Sequence, residues 1–164
     1  MRTSRGVRAT RFGDHRTLRP TGEEPTVPVL HPVDWSALPP ALVEFWTERH
    51  LCTLSSLDKD GAPHAVPVGA VLDHAERCAW IITDGGSQKA TNLRRDGRLA
   101  VSQVEGARWS TIIGTAEVLD DAASVAHACA RYAERYRVPR ENPTRVALRI
   151  TVERFLGSSQ VLPR

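Results

Sequence analysis

The chain has 164 residues, 41% of them hydrophobic and 25% charged, with a formal net charge of +3. That length suits one domain with a flexible end. The apolar share is enough for a core and excludes disorder along the whole chain, and no apolar run approaches the ~18 residues of a membrane span. Six arginines against Asp14 in residues 1–20 account for the positive excess, so the remainder is slightly acidic and a basic nucleic-acid domain is excluded.

Residues 1–34 lack periodicity and carry Pro20, Pro25, Pro28 and Pro32. They read as a disordered or loosely docked N-terminal arm, leaving 35–164 as the folded domain. No apolar stretch follows the basic start, so a secretory signal is not expected and the cytoplasm is the expected location. Leu38-Pro39-Pro40 opens a helix, because proline suits the first turn. Leu38, Leu42, Phe45, Trp46 and Arg49 follow at helical spacing, and the apolar face ends near His50.

Strands are expected at Leu51–Leu57, His64–Leu72, Cys78–Thr83, Leu99–Val104, Trp109–Leu119 and Val146–Val152. Asp58-Lys59-Asp60-Gly61 forms the first hairpin turn and Asp73–Arg77 the second. A short helix runs from Ser87 through Leu93 to a stop at Asp96-Gly97. A longer one, capped by Asp120 or Asp121, runs to about Arg137 with Ala122, Val125, Ala126, Cys129, Tyr132, Ala133 and Tyr136 on one stripe. Six strands in hairpin-like order with three helices fit an antiparallel barrel with helices outside, and exclude a doubly wound parallel sheet.

Ile82-Thr83-Asp84-Gly85-Gly86-Ser87-Gln88-Lys89 carries the most chemical information. A strand ends, two glycines permit a tight path, and a helix begins whose free N–H groups attract anions. Thr83 and Ser87 add hydroxyls and Lys89 a charge, which makes a phosphate cradle. Pro67 removes a ladder donor in mid-strand, so that strand is either interrupted or at an edge. Trp109 suits packing or the wall of a flat ligand, and His64 is a half-buried strand histidine or an acid–base group. Cys52, Cys78 and Cys129 are odd in number, far apart and free of any CxxC or Cys/His pattern. They read as reduced thiols, and no metal site is expected. No Ser/His/Asp order or paired carboxylates support a hydrolase.

Several motifs together resemble the flavin/deazaflavin split-barrel superfamily of the pyridoxamine 5′-phosphate oxidases. They are Glu48-Arg49-His50-Leu51, Gly61-Ala62-Pro63-His64, Val66-Pro67-Val68-Gly69, Gly85–Asn92, Gln103–Trp109, Arg131–Arg137 and Pro139–Pro143. Within it the chain is similar to the branch that uses coenzyme F420, and there to the biliverdin-reductase-like group. The resemblance implies a six-stranded antiparallel split β-barrel and a homodimer with a cofactor groove between protomers. It implies that Val66, Pro67 and Val68 line the cofactor ring, that Ile82 and Thr83 sit at the ring and phosphate, and that Ser87, Gln88 and Lys89 hold the phosphate. Trp109 would close the groove from the other protomer. Arg94, Arg95 and Arg140 are candidates to meet the acidic tail of the coenzyme. The oxidase branch places Arg-Lys where this chain has Gln88-Lys89, which favours coenzyme F420 over the alternative, FMN. The expected activity is hydride transfer from the reduced deazaflavin to a small conjugated acceptor, with a tetrapyrrole such as biliverdin the best candidate. The alternatives are an FMN-dependent oxidase on the same fold and a non-catalytic module that binds a cofactor or a tetrapyrrole. No side chain is singled out as catalytic.

Overall fold

The structure, a computed structural model, describes residues 27–163. Residues 1–26 of the expected arm lie outside the described residues. The rest of the arm contributes β1 (Val29–Leu30), which pairs with Leu156 and Phe155, and Leu30 and Val33 pack against the core.

Helix α1 (Pro40–Thr47) starts on its proline with no side-chain cap, and buries Leu42, Phe45 and Trp46. Those three lie one face apart by helical spacing, so tertiary burial holds a helix of only two turns. Strands β2 (Cys52–Leu57) and β3 (Pro63–Val68) form a hairpin. The turn between them is stapled by Asp58, whose carboxylate accepts from the Asp60 and Ala62 N–H groups. After Gly69 come β4 (Ala70–Asp73), β5 (Cys78–Asp84), α2 (Gln88–Arg95), β6 (Arg98–Glu105), β7 (Arg108–Leu119), α3 (Ala122–Arg135) and β8 (Arg145–Gly157).

The strands make one antiparallel sheet in the order β3-β2-β6-β7-β8-β5-β4, with β1 added to β8. The count corrects the expected six. The single strand expected over His64–Leu72 is two, because the chain changes partners at Gly69. Thr53 pairs with Pro67 on one side of the break and Ile81 with Ala70 on the other. Seven strands and the short β1 result. β3 and β4 end the sheet at opposite edges yet are joined by one residue. The sheet must therefore curl until its edges meet, and that closes the split barrel.

Strand β8 is also longer than the expected Val146–Val152. It spans thirteen residues and pairs with β7, β5 and β1 in turn. A bulge in β8 leaves Glu153 unpaired between Arg154, opposite Ile113, and Val152, opposite Gly114. Inside the curl, Leu54, Val101, Ile112, Leu148, Ile150 and Phe155 are fully buried and meet Phe45 and Trp46 of α1. Helix α3 lies outside, over β4, β5 and β8. Its buried positions are Ala128 and Arg135, whereas Ala122 and Ala126 of the expected stripe are exposed. The correction has a physical cause. Ala128 packs with Cys78, Trp80 and Ala147 on the outer sheet face, and Arg135, two turns further along the same helix face, is buried against the Glu48 and Ala70 carbonyls. Among the described residues no helix is long and apolar enough to cross a membrane.

Candidate functional site

The break at Gly69 opens a groove on the outside of the barrel. Pairing of Ala70 with Ile81 sets Gly69 beside Ile82. Gly69, Ile82, Thr83, Asp84, Tyr132 and Arg140 line a groove of about 370 Å³, with Arg137 and Arg145 at its rim. Gly69 is required here by space. A Cβ on it would lie 2.6 Å from Cε2 of Tyr132 and 3.0 Å from that of Tyr136.

At one end of the groove α2 begins. Ser87 caps it, its hydroxyl accepting from the Ala90 N–H, and stands 3.3 Å from the Thr83 hydroxyl. The Gly86 N–H is taken by Asp84 and the Thr91 N–H by the Ser87 carbonyl. The N–H groups of Gln88 and Lys89 are left open at the helix start, where the peptide dipoles favour an anion. Lys89 makes no ion pair among the described residues. Gln88 is turned along the helix, its amide donating to Asn92 Oδ1 at 2.8 Å. Asn92 is fully buried and in turn donates to Ser56, which pins α2 to β2. Asp84 is held below the usual carboxylate range, first by the Thr144 hydroxyl, then by the Gly86 N–H and the Asn142 amide. Asp84 thereby ties the start of α2 to the entry of β8.

The structure therefore brings Ile82, Thr83, Ser87, Gln88 and Lys89 to one place. Val66 and Val68 point into the barrel and pack on its core, so they can meet a ligand only through their backbone. Pro67 points outward from β3, a terminal strand of the sheet, where its missing donor costs no ladder bond. Trp109 stands apart. It shares β7 with Leu119, which pairs with Ala147 opposite Ile82. Ten residues of strand separate the two, about 30 Å at strand rise. One copy of the chain cannot place Trp109 at the Ser87 end of its own groove. Of the three tail candidates, Arg94 is bonded to the Gly85 carbonyl at 2.7 Å and Arg95 to the Leu57 carbonyl, while Arg140 faces the groove.

The sequence placed Tyr132 and Tyr136 on the apolar stripe of the long helix and gave neither them nor Arg135 a place in the site, although all three lie in a quoted motif. Tyr132 and Tyr136 stack with ring centres 4.8 Å apart. The Ala70 N–H donates to the Tyr136 hydroxyl at 3.2 Å, and that hydroxyl donates to the His50 carbonyl at 2.7 Å. Burial pushes the Tyr136 phenol up, so it stays protonated as a donor. Arg135, 8% exposed, donates to the Glu48 carbonyl at 2.9 and 2.7 Å, to the Ala70 carbonyl and to Gln103 Oε1 at 2.8 Å. Gln103 passes the network on to the Phe45 carbonyl at 2.7 Å. This latch binds the end of α3 to α1, β4 and β6 around the break. The spacing of a tyrosine four residues after another was the available signal, but it reads equally as a core stripe.

His64 has an unpartnered, buried Nδ1 but points along the barrel wall opposite Ser56, away from the groove residues. Among the described residues, Glu48, His50 and Glu105 form the one group with metal-ligand spacing. Arg108 lies across it and bonds both carboxylates, so the charge there is already compensated.

Comparison with known proteins gives the same architecture. The chain is 48% identical over 120 residues to an F420H(2)-dependent biliverdin reductase of Mycobacterium tuberculosis (strain CDC 1551 / Oshkosh), covering 73% of this chain and 88% of that protein. A crystal structure of a conserved hypothetical protein from Mycobacterium tuberculosis superposes with a TM-score of 0.65 at 24% identity, over 85% of this chain and 91% of that one. An F420 reductase superposes with a TM-score of 0.60 at 17% identity, over 72% and 98%. The family model described as pyridoxamine 5′-phosphate oxidase matches residues 38–158, from the start of α1 to the end of β8, and the chain belongs to that family.

Proposed function

We propose that this protein is a coenzyme F420-dependent oxidoreductase that reduces a flat conjugated acceptor of the tetrapyrrole class, such as biliverdin. The observation that carries the reading is the 48% identity to an F420H(2)-dependent biliverdin reductase across 88% of that protein. The geometry fits the coenzyme. Ser87, Thr83 and Lys89 present two hydroxyls and one unpaired charge at a helix start, which suits one phosphate. Gln88 is engaged with Asn92, so the second cation expected of an FMN-binding oxidase is missing.

Reduced coenzyme F420 supplies a hydride when bound. The chain's own residues bind and orient. Ser87 and Lys89 anchor the phosphate end. The backbone of β3 at Val66–Val68, freed by the change of partners at Gly69, offers polar groups to the ring. Ile82 supplies an apolar contact at the turn of the groove. Solvent at the open groove supplies the accompanying proton.

The groove is completed by a second copy, which contributes Trp109 as the closing wall. The outer face of β2, β3 and β6 supports a homodimer. Thr53, Ser55, Ala65, Pro67, Ala100 and Ser102 share that face by register, none is charged, and Val104 beside Trp109 is 67% exposed. Residues 35–164 form the cofactor-binding domain in this reading. Its three unpaired cysteines suit a reducing cytoplasm. The test is a titration with coenzyme F420 and with FMN, followed by turnover of reduced coenzyme with biliverdin. Tighter binding of F420 and loss of its reduced form only with acceptor are expected. Tighter FMN binding would transfer the protein to the flavin-oxidase reading, and binding without turnover to a carrier.

A further inference from the structure

Away from its Ser87 end, the groove carries a second set of groups to which the proposed function gives no part. Its floor is the Tyr132 ring, backed by Tyr136 at 4.8 Å and an interplanar angle of 27°, and seated on the bare backbone of Gly69. Its rim is Arg137, Arg140 and Arg145. Arg98 meets Asp96, Arg108 meets Glu48 and Glu105, and Arg149 meets Glu76, whereas Arg94 and Arg95 bond the main-chain carbonyls of Gly85 and Leu57. The three rim arginines have no carboxylate partner among the described residues. The only acid lining the groove is Asp84, and it is saturated by the Gly86 N–H, the Asn142 amide and the Thr144 hydroxyl. Arg145 is held in place, one Nη donating to the Arg140 carbonyl and the other 3.8 Å from the Cys129 sulfur. That contact braces the loop that carries Arg140. Arg137 and Arg140 are exposed.

A groove that carries an aromatic ring together with guanidinium groups lacking carboxylate partners suits a flat π-system that bears carboxylates. Tyrosine stacks with the plane, and guanidinium forks match carboxylates in pairs. We propose that Tyr132, Arg137 and Arg140 form the acceptor subsite, with Tyr132 stacking on the conjugated plane and the two arginines binding its carboxylate side chains. This deepens the proposed function and rests on it. The acceptor class it selects is a conjugated dicarboxylate, and a neutral analogue of the same shape should be disfavoured.

The experiment compares the parent protein with Arg137→Ala/Arg140→Ala and with Tyr132→Leu. Each is titrated with coenzyme F420, with its tail-less precursor, with biliverdin and with biliverdin dimethyl ester, by fluorescence quenching. A thermal melt of each variant confirms that it folds. In the parent, the diacid should bind at least tenfold more tightly than the ester. In the double-arginine variant the diacid should fall to the ester's affinity, with both cofactor forms within about twofold of the parent. Tyr132→Leu should weaken acid and ester alike. Equal binding of acid and ester by the parent overturns the proposal. So does a double variant that loses affinity for the full coenzyme but not for the precursor, since the arginines would then serve the tail. If the parent binds neither coenzyme form, the proposed function itself has failed; if it binds coenzyme but neither tetrapyrrole, only the acceptor assignment has.

Discussion

Lys89 and Gly114 show how differently a single residue can matter here. Lys89 makes no ion pair among the described residues, and its charge is the least of the influences that lower Asp84, so its removal should shift a thermal melt little. If it holds the phosphate, Lys89→Ala should weaken coenzyme F420 binding by about 1.5–3 kcal/mol, the range for a hydrogen bond to a charged group. A titration with unchanged Kd would remove Lys89 from the cradle. Gly114 is the reverse case. It sits in β7 opposite the β8 bulge, where a Cβ would collide with the Thr151 carbonyl, backbone that has no freedom to yield. Gly114→Ala should destabilise by about 1–3 kcal/mol through overpacking, read as a lower denaturant midpoint, and should leave cofactor affinity per folded molecule unchanged.

Helix α3 is held at its C-terminus and along its middle by polar groups rather than by a continuous apolar stripe. At its C-terminus Arg135 satisfies three carbonyl-type oxygens in a buried place. Arg135→Met removes the cation and leaves those acceptors short of donors, at about 1–3 kcal/mol for each one left unsatisfied. Arg135→Lys should recover only part, because an ammonium cannot reproduce the fork. Midpoints from urea melts in the order parent, Lys variant, Met variant test the latch. Along its middle, α3 meets β4 through Asp73, which is 2% exposed and receives His127 at 2.9 Å and the Glu76 N–H at 3.0 Å, with Arg131 at 3.2 Å. Burial raises the carboxyl, but those donors outweigh it and hold it below its ordinary value. A carboxyl lowered in the folded state adds stability above its unfolded pKa of about 3.9. That stability is lost as pH falls through the lower folded value. Melts from pH 6 downward should therefore show a falling midpoint below about pH 4, and Asp73→Asn should flatten that limb.

At the scale of the whole molecule, the separation of Trp109 from Lys89 along β7 decides what a complete site requires. If two copies share each groove, Lys89→Ala and Trp109→Ala each damage both sites of their own dimer. Mixed dimers of the two variants contain one doubly damaged groove and one intact groove, as an isologous interface demands. Random exchange of subunits should then restore about a quarter of the full-affinity sites. Mixing that restores none, or light scattering that shows a monomer with full affinity, would overturn the shared groove. The arm belongs to this scale too. Deleting residues 1–34 strips Leu30 and Val33 from the core and the β1 pairing from β8, so a lowered melting temperature is expected.

The local features were legible in the sequence because each rests on neighbours in the chain. Asp121 capping α3, Ser87 capping α2, the Asp58 turn and the alternation of β2 follow from rules that act over a few residues. The strand end, turn and helix start from Thr83 to Lys89 were legible for the same reason, since they are contiguous. The break at Gly69 was not. Val66 to Leu72 reads as one strand by any local pattern, and only the competition of β2 and β5 for the same segment divides it. The burial of Arg135 was hidden because a cation is buried only where carbonyls from α1 and β4 happen to converge on it. Arg140 was named as a tail candidate, but the groove it lines was hidden. Tyr132, Arg137 and Arg140 are near neighbours in sequence, and only the fold sets them beside Gly69 and Ile82, some fifty to seventy residues away. Short-range chemistry determined the pieces. Long-range pairing, which places residues distant in sequence within a few ångströms, decided where the sheet closes and which side chains face the opening.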